Sequence, residues 1–300
     1  MDTARKNEML TKPQGDNLAA EDRIYTKHFL IKNFEYPKGI RMAVNFTVDF
    51  DGQLFRRLKN EPIMELTKGE FGGRVGIWRI LDLFDKHGIK LTIFAPGRIC
   101  ELYPDSLEEA ARRGHEVANH MWEHRIPSDE ELEKDHLEKA TRAIENLCKK
   151  KPVGTRSRHK LSLLKNMGYL YLSKNAADDL PYYVYDEEGR NGLLNFPFHL
   201  VLDDAMYFSF SWLGSKNAGQ RLEEPGKVFE IWLSTFRHFY RLGAYMNICL
   251  HDFVTGRSFR IAMLDRLINE MKKMPGVWFP TCEELALYCL ENFPAPAEVK

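Results

Sequence analysis

Short apolar runs that stop abruptly at Asp or His, separated by longer amphipathic segments, constrain this chain more than any other feature. Met42-Ala43-Val44-Asn45-Phe46-Thr47-Val48 ends in Asp49-Phe50-Asp51, and Ala244-Tyr245-Met246-Asn247-Ile248-Cys249-Leu250 ends at His251. With Lys90-Leu91-Thr92-Ile93-Phe94-Ala95, these runs read as buried strands. Between them, Leu132, Leu137, Ala140, Ile144 and Leu147 recur at helical spacing, as do Ile261, Leu264, Leu267, Ile268 and Met271. Such segments are amphipathic helices with one face on a sheet. Strand and helix in alternation imply parallel strands, and with no internal repeat and no linker-like shift in composition a single α/β domain is the economical reading.

In parallel α/β barrels, catalytic side chains sit where strands end and loops begin. Asp49 and Asp51 close the first run, His120 closes Glu116-Val117-Ala118-Asn119, Arg156 follows Pro152-Val153-Gly154-Thr155, and His251 closes the last run. Each piece alone has an ordinary reading. Asp-x-Asp-Gly is the pattern of a turn with solvated carboxylates. His120-x-x-x-His124 places two imidazoles on one face of a helical turn, a spacing that also occurs by chance. Their convergence on one rim makes a site. One carboxylate and two imidazoles form a hydrolytic metal centre with open positions, and one carboxylate and one imidazole are left to move protons.

Composition removes several classes of function. Lys plus Arg and Asp plus Glu both number 43, so nothing in the charge balance points to nucleic acid or an anionic membrane as partner. The cysteines Cys100, Cys148, Cys249, Cys282 and Cys289 are scattered, which argues against a disulfide framework or a structural zinc knuckle. Residues 1–25 are polar and mixed in charge, without the apolar stretch of a secretory signal. They are expected to form an N-terminal arm ahead of a catalytic domain over 26–300, in a cytoplasmic protein.

The order Thr47-Val48-Asp49-Phe50-Asp51-Gly52, Gly114-His115-Glu116-Val117-Ala118-Asn119-His120-x-x-x-His124, Arg156-Ser157 and His251 before Gly256-Arg257 resembles the polysaccharide deacetylase family. This is the NodB-homology or carbohydrate esterase 4 family, and the resemblance is to its branch of peptidoglycan-deacetylase-like, allantoinase-like and cyclic imide hydrolase proteins. Asp178-Asp179-Leu180-Pro181-Tyr182, Leu202-Asp203-Asp204 and the stretch from Gly276 to Ala286 add to it. The resemblance implies a distorted (β/α) barrel of NodB type, seven-stranded, with one divalent metal in its mouth: zinc first, with cobalt, manganese or nickel as substitutes. It implies Asp51, His120 and His124 as ligands, Asp49 as general base held by Arg156, and His251 as general acid. It also implies a homo-oligomer, a dimer or tetramer.

Elementary chemistry supports the same roles. A three-ligand metal lowers the pKa of bound water to about 7 and polarises a carbonyl. An amide nitrogen leaves only when protonated, which suits imidazole, and a guanidinium beside Asp49 keeps that carboxylate ionised. The expected activity is hydrolysis of a non-peptide carbon–nitrogen bond by metal-held water. The expected substrate is a small intracellular cyclic or linear amide. N-deacetylation of acetylated sugars or glycan fragments is the alternative, and a silent ligand-binding barrel the third. Departures from the family pattern bear on the substrate: Met121 and Trp122 follow His120, Arg125 follows His124, Arg158 stands after Arg156-Ser157, and Asp252 after His251. Arg158 and Asp252 add charge near the rim, as substrate contacts or as solvated side chains. Trp78, Trp232 and Phe236 are expected in the core, and Cys282 and Cys289 on one buried helix face.

Overall fold

The computed structural model describes residues 25, 27–58, 60–208 and 223–299. The arm expected over residues 1–25 lies outside them except for Tyr25, which is buried and donates its hydroxyl to the His159 carbonyl at 2.7 Å. No helix among the described residues is long and apolar enough to cross a membrane.

The strands are β1 (Lys27–Leu30), β2 (Met42–Asp49), β3 (Thr92–Ala95), β4 (Glu116–Asn119), β5 (Gly154–Thr155), β6 (Tyr171–Leu172), β7 (Tyr182–Tyr185), β8 (Leu193–Asn195), β9 (Met246–His251) and β10 (Val277–Trp278). Seven of them, in the order β9, β2, β3, β4, β5, β6 and β8, are parallel neighbours. This is the distorted NodB-type barrel expected from the sequence. Closure is irregular: the segment after β8 meets β9 through a parallel bridge between Asp203 and Cys249. An antiparallel pair, β7 on β8 and β1 on β7, extends the sheet outside the ring, and β10 adds to the start of β2.

Alternation along the strands separates an apolar exterior from a mixed interior. On β2, Met42, Val44, Phe46 and Val48 join the large core beneath the helices, whereas Ala43 joins a second cluster with Phe94, Ala118, Tyr171 and Tyr245. Asn45, Thr47 and Asp49 share the face of Ala43, and on β9 the same period sets Asn247, Cys249 and His251 opposite Met246, Ile248 and Leu250. Helix Ile77–His87 covers the exterior with Ile77, Ile80, Leu81 and Phe84 and ends at Gly88, whose φ of 63° supplies the left-handed C-terminal turn. Phe84 meets Phe46 edge-on at 5.0 Å. Helix Pro225–Leu242 buries Trp232 and Phe236, and helix Cys282–Asn292 buries Cys282 and Cys289 on one face, as expected.

The lower end of the barrel is fixed by polar contacts. Thr281 and Glu284 form a reciprocal cap on helix Cys282–Asn292. Glu116 Oε2 accepts from the Glu283 amide at 2.9 Å and Thr92 Oγ1 at 2.7 Å, while its Oε1 accepts from the Tyr171 hydroxyl at 2.6 Å. Tyr171 lies against Gly154 so closely that a Cβ there would stand 1.9 Å from its ring. Gly154→Ala is therefore expected to destabilise the protein by about 1–3 kcal/mol, the range for overpacking a tight core. Urea unfolding checks this, and a midpoint equal to wild type would contradict it.

Candidate metal centre

Parallel register brings the candidate residues to one rim. Asp49 pairs with His251 and with Phe94; Ala95 pairs with Asn119, Asn119 with Thr155, and Leu172 with Asn195. Residues one or two beyond these ends, Asp51, His120, Arg156 and Ser173, therefore surround one opening. All of the sequence-derived candidates, Asp49, Asp51, His120, His124, Arg156 and His251, meet here.

Asp51 Oδ1 lies 3.9 Å from His120 Nε2 and 3.7 Å from His124 Nε2. The two imidazoles stand edge to face at 4.7 Å. His120 Nδ1 is 2.6 Å from the Arg156 carbonyl, to which it donates, so Nε2 is the unprotonated nitrogen turned toward Asp51. The helical turn expected over His120–His124 is not formed. The chain makes a non-helical turn in which Met121 and His124 have φ of 69° and 58°. A left-handed conformation is costly for such residues, and it is held here by the amides of Gly97 and Arg98 donating to the carbonyls of Met121 and Trp122. Trp122 is buried in that turn, with Arg98 and Lys139 against its ring at 5.4 and 4.1 Å.

Among the described residues, three clusters could hold a cation: Asp51/His120/His124, Asp49/Cys249/His251 and Asp203/Asp204/His251. Hydrogen bonding separates them. Asp49 Oδ1 accepts from Arg156 Nη1 at 2.6 Å, and His251 Nδ1 is 2.7 Å from Asp204 Oδ1. Asp204 Oδ2 also accepts from the His251 amide at 2.9 Å and the Thr255 hydroxyl at 2.5 Å. By contrast, Asp51 is wholly buried and, among the described residues, neither of its oxygens has a hydrogen-bond partner, nor has His120 Nε2. A fully buried carboxylate without partners is tolerated where a cation completes it. The donor set of one carboxylate and two neutral imidazoles suits a divalent metal with open positions.

Electrostatics follow the same division. Burial holds both imidazoles down, His124 to about 4 and His120 well below its ordinary value, so each keeps a lone pair for a metal at neutral pH. Burial also pushes Asp51 up to about 7, with the Asp49 charge adding to it. Asp49 is buried too, but the Arg156 guanidinium overcomes that and holds it well below the usual carboxylate range. For His251, burial is outweighed by the charges of Asp204 and Asp203 and the Asp204 hydrogen bond, so the imidazole is held protonated.

Two residues with a part in this arrangement have no role assigned to them by the sequence. Asp204 reaches His251 because the barrel closes through Asp203 and Cys249; the adjacent acids after Leu202 are its only trace in the sequence. Lys174 follows Ser173 at the end of β6, and its charge acts on Asp49, Asp51, His120 and His124. The expectation that Asp252 adds charge near the rim is corrected. It is wholly buried, and its Oδ1 accepts from the amides of Asp51 and Gly52 at 3.3 and 3.4 Å, which steadies the loop carrying Asp51.

The family model described as polysaccharide deacetylase matches residues 70–172, a span containing His120, His124 and Arg156. The peptidoglycan deacetylase of Helicobacter pylori is 27% identical, the match covering 74% of this chain and 86% of that protein. A Mycobacterium smegmatis structure assigned as a polysaccharide deacetylase superposes with a TM-score of 0.80 at 28% identity, over 89% of this chain and 96% of the other. The structure of Puue allantoinase gives 0.77 at 25% identity, over 87% and 94%.

Asp51 yields a pH signature in metal-free protein. Its folded pKa of about 7 lies above the ordinary 3.8, so between those values the folded state binds more protons than the unfolded one, and this group lowers stability as pH rises through that window. Asp51→Asn keeps the shape without the charge. Its stability in chelator is expected to gain on wild type from the lower bound to the upper and then level off. Urea titrations across that range check this; a difference independent of pH would contradict it.

Proposed function

We propose that this chain, which is similar to the polysaccharide deacetylase family, is a metal-dependent hydrolase of a non-peptide amide bond. The observation that carries the reading is the buried, unpartnered carboxylate of Asp51 facing two imidazoles, with an ionised carboxylate and a protonated imidazole beside it. Asp51, His120 and His124 would hold the metal. A divalent cation at such ligands supplies Lewis acidity toward a carbonyl oxygen and makes water acidic enough to act as a nucleophile near neutral pH. Zinc suits the donors, and cobalt, manganese or nickel would serve.

The remaining steps belong to the protein. Asp49 Oδ1 is occupied by Arg156, which leaves Oδ2, 3.8 Å from His120 Nε2, to take the proton from the attacking water. Arg156 keeps that carboxylate charged and fixed. His251, protonated and oriented by Asp204, gives its proton to the nitrogen as the carbon–nitrogen bond breaks. Water and an amide thus become a carboxylic acid and an amine.

A small amide is the substrate class we favour. A cavity of about 500 Å³ is lined by Lys174, Arg158 and Phe198; Phe198 lies on Arg156 at 4.7 Å and the Lys174 charge acts on Asp49, and a cavity of that size can take a small molecule. Among the described residues the large exposed apolar side chains include one aromatic, Phe259, a poor platform for stacking sugars. N-deacetylation of sugars is the second reading, supported by the likeness to a peptidoglycan deacetylase.

Metal analysis of purified protein, with turnover of cyclic imides, ureides and N-acetylated sugars before and after chelation, tests the reading. Metal-free protein with no turnover on reconstitution would overturn it. Asp49→Asn is expected to retain metal and lower kcat by about 10²-fold or more, whereas His124→Ala loses the metal. Unchanged kcat in the first, or full occupancy in the second, contradicts the assigned roles. Asp204→Asn removes the charge that raises His251, so the acid is lost at lower pH and the alkaline limb of the rate profile moves downward. An unmoved limb would take Asp204 out of the mechanism.

A further inference from the structure

We propose that Trp122 is a positioning residue that holds His124 beside Asp51 and His120. The inference rests on the metal-dependent reading for what His124 does there, but its placement stands on geometry alone. His124 Nε2 comes within 3.7 Å of Asp51 Oδ1, and its ring within 4.7 Å of the His120 ring, because the chain leaves His120 through a turn with left-handed φ at Met121 and His124. That conformation persists at residues bearing side chains only where the surroundings over-determine it. Hydrogen bonds hold the first half of the turn. The Met121 amide donates to Asn119 Oδ1 at 2.7 Å, and the amides of Gly97 and Arg98 donate to the carbonyls of Met121 and Trp122 at 2.9 and 3.0 Å. Those bonds end at Trp122, two residues before His124.

The Trp122 ring carries the hold further. It is buried between the loop after β3 and helix Glu130–Cys148: a Cβ at Gly97 would stand 2.6 Å from the indole Cε3 and 2.7 Å from Ala140 Cα. Loop, ring and helix can meet this closely because position 97 has no side chain. Lys139, exposed on that helix, places its ammonium 4.1 Å from the ring centroid, and the Arg98 guanidinium lies at 5.4 Å. Arg98 also pairs at 2.8 Å with Glu123, the residue between Trp122 and His124, so one short loop grips residues 121, 122 and 123 in succession. An aromatic elsewhere in the core would contribute stability alone. This one lies between two imidazoles four residues apart, so slack in its seat passes to His124 through a two-residue segment.

The test compares Trp122→Ala and Trp122→Phe with wild type, on the full chain with metal and after chelation. Zinc affinity, read by competition with a chromophoric chelator, is expected to fall about 10- to 100-fold in Trp122→Ala, the scale for losing a support behind a metal ligand, and to recover most of that in Trp122→Phe. The absorption bands of bound cobalt change in the first and keep their wild-type form in the second. Crystals of the chelated proteins read the placement without any metal: the 3.7 Å separation of Asp51 and His124 and the left-handed φ at His124 are kept in Trp122→Phe and lost in Trp122→Ala. Should Trp122→Ala fold poorly, Trp122→Leu keeps the position apolar but is too short to fill the space between Gly97 and Lys139, and the same losses are expected. A folded Ala or Leu variant with a lowered urea midpoint but wild-type zinc affinity, or wild-type placement of His124, would reduce Trp122 to packing and overturn the proposal. Displacement of His124 in the variant of a protein that takes up no zinc as wild type would remove the metal reading and leave this one standing.

Discussion

A guanidinium buried in a barrel is tolerated only when each of its donors is met, and Arg156 is met on every side. It donates to Asp49 Oδ1, Thr47 Oγ1, Ser173 Oγ, the Ser173 carbonyl and Cys249 Sγ, and is sandwiched between Phe94 and Phe198 at 4.2 and 4.7 Å. These partners lie on or directly beyond β2, β6 and β9, so one side chain spans the opening and fixes the spacing of strands far apart in sequence. Breaking a buried pair of this kind commonly costs about 3–5 kcal/mol, because the orphaned charge stays behind. The same residue orients the centre through its backbone, since its carbonyl sets the His120 ring. Asp49 and the His120 imidazole therefore share one anchor.

The irregular closure of the barrel has a chemical consequence. A regular ladder between β8 and β9 would cover the inward end of β9 with strand backbone. Instead a single bridge at Asp203 is followed by a turn in which Asp204 faces back at His251 and bonds both its ring and its amide. The turn also bonds Thr255 in the helix that starts at Asp252, while Asp252 supports the amides of Asp51 and Gly52. The loops carrying Asp51 and His251 are thus cross-braced.

Much of this was legible in the sequence because parallel strands end at one level. An apolar run that stops at Asp49 or His251 announces both strand and site, and the helical periods over 132–147 and 261–271 fall within helices Glu130–Cys148 and Ser258–Lys272. Strands of two residues, β5 and β6, are too short to show a period, so nothing local marked Lys174. Asp204 depends on a bridge to a strand some 45 residues away in sequence, a non-local pairing without a local signature. The turn at His124 misled for a different reason. Spacing of four suits a helix, but the imidazoles converge through left-handed φ at residues that sequence alone does not mark for it.

Two carboxylates two residues apart have been given opposite environments, and that separation makes the centre workable. Both are buried, so chemistry cannot distinguish them by solvent. Arg156 saturates one oxygen of Asp49 and stabilises its charge, which makes it a poor candidate to surrender that charge to a metal and a good one to stay ionised as a base. Asp51 points the other way, into the angle between His120 and His124, where no donor among the described residues meets it. Exchanging those environments would leave an unpaired guanidinium and, facing the two imidazoles, a carboxylate already neutralised by protein. The alternation of β2 prevents it: Asp49 is the last inward residue of the strand and can meet Arg156, whereas Asp51 lies beyond the strand end on a loop held by Asp252. Environments that the sequence presents as interchangeable are thereby fixed by which residue still belongs to the strand.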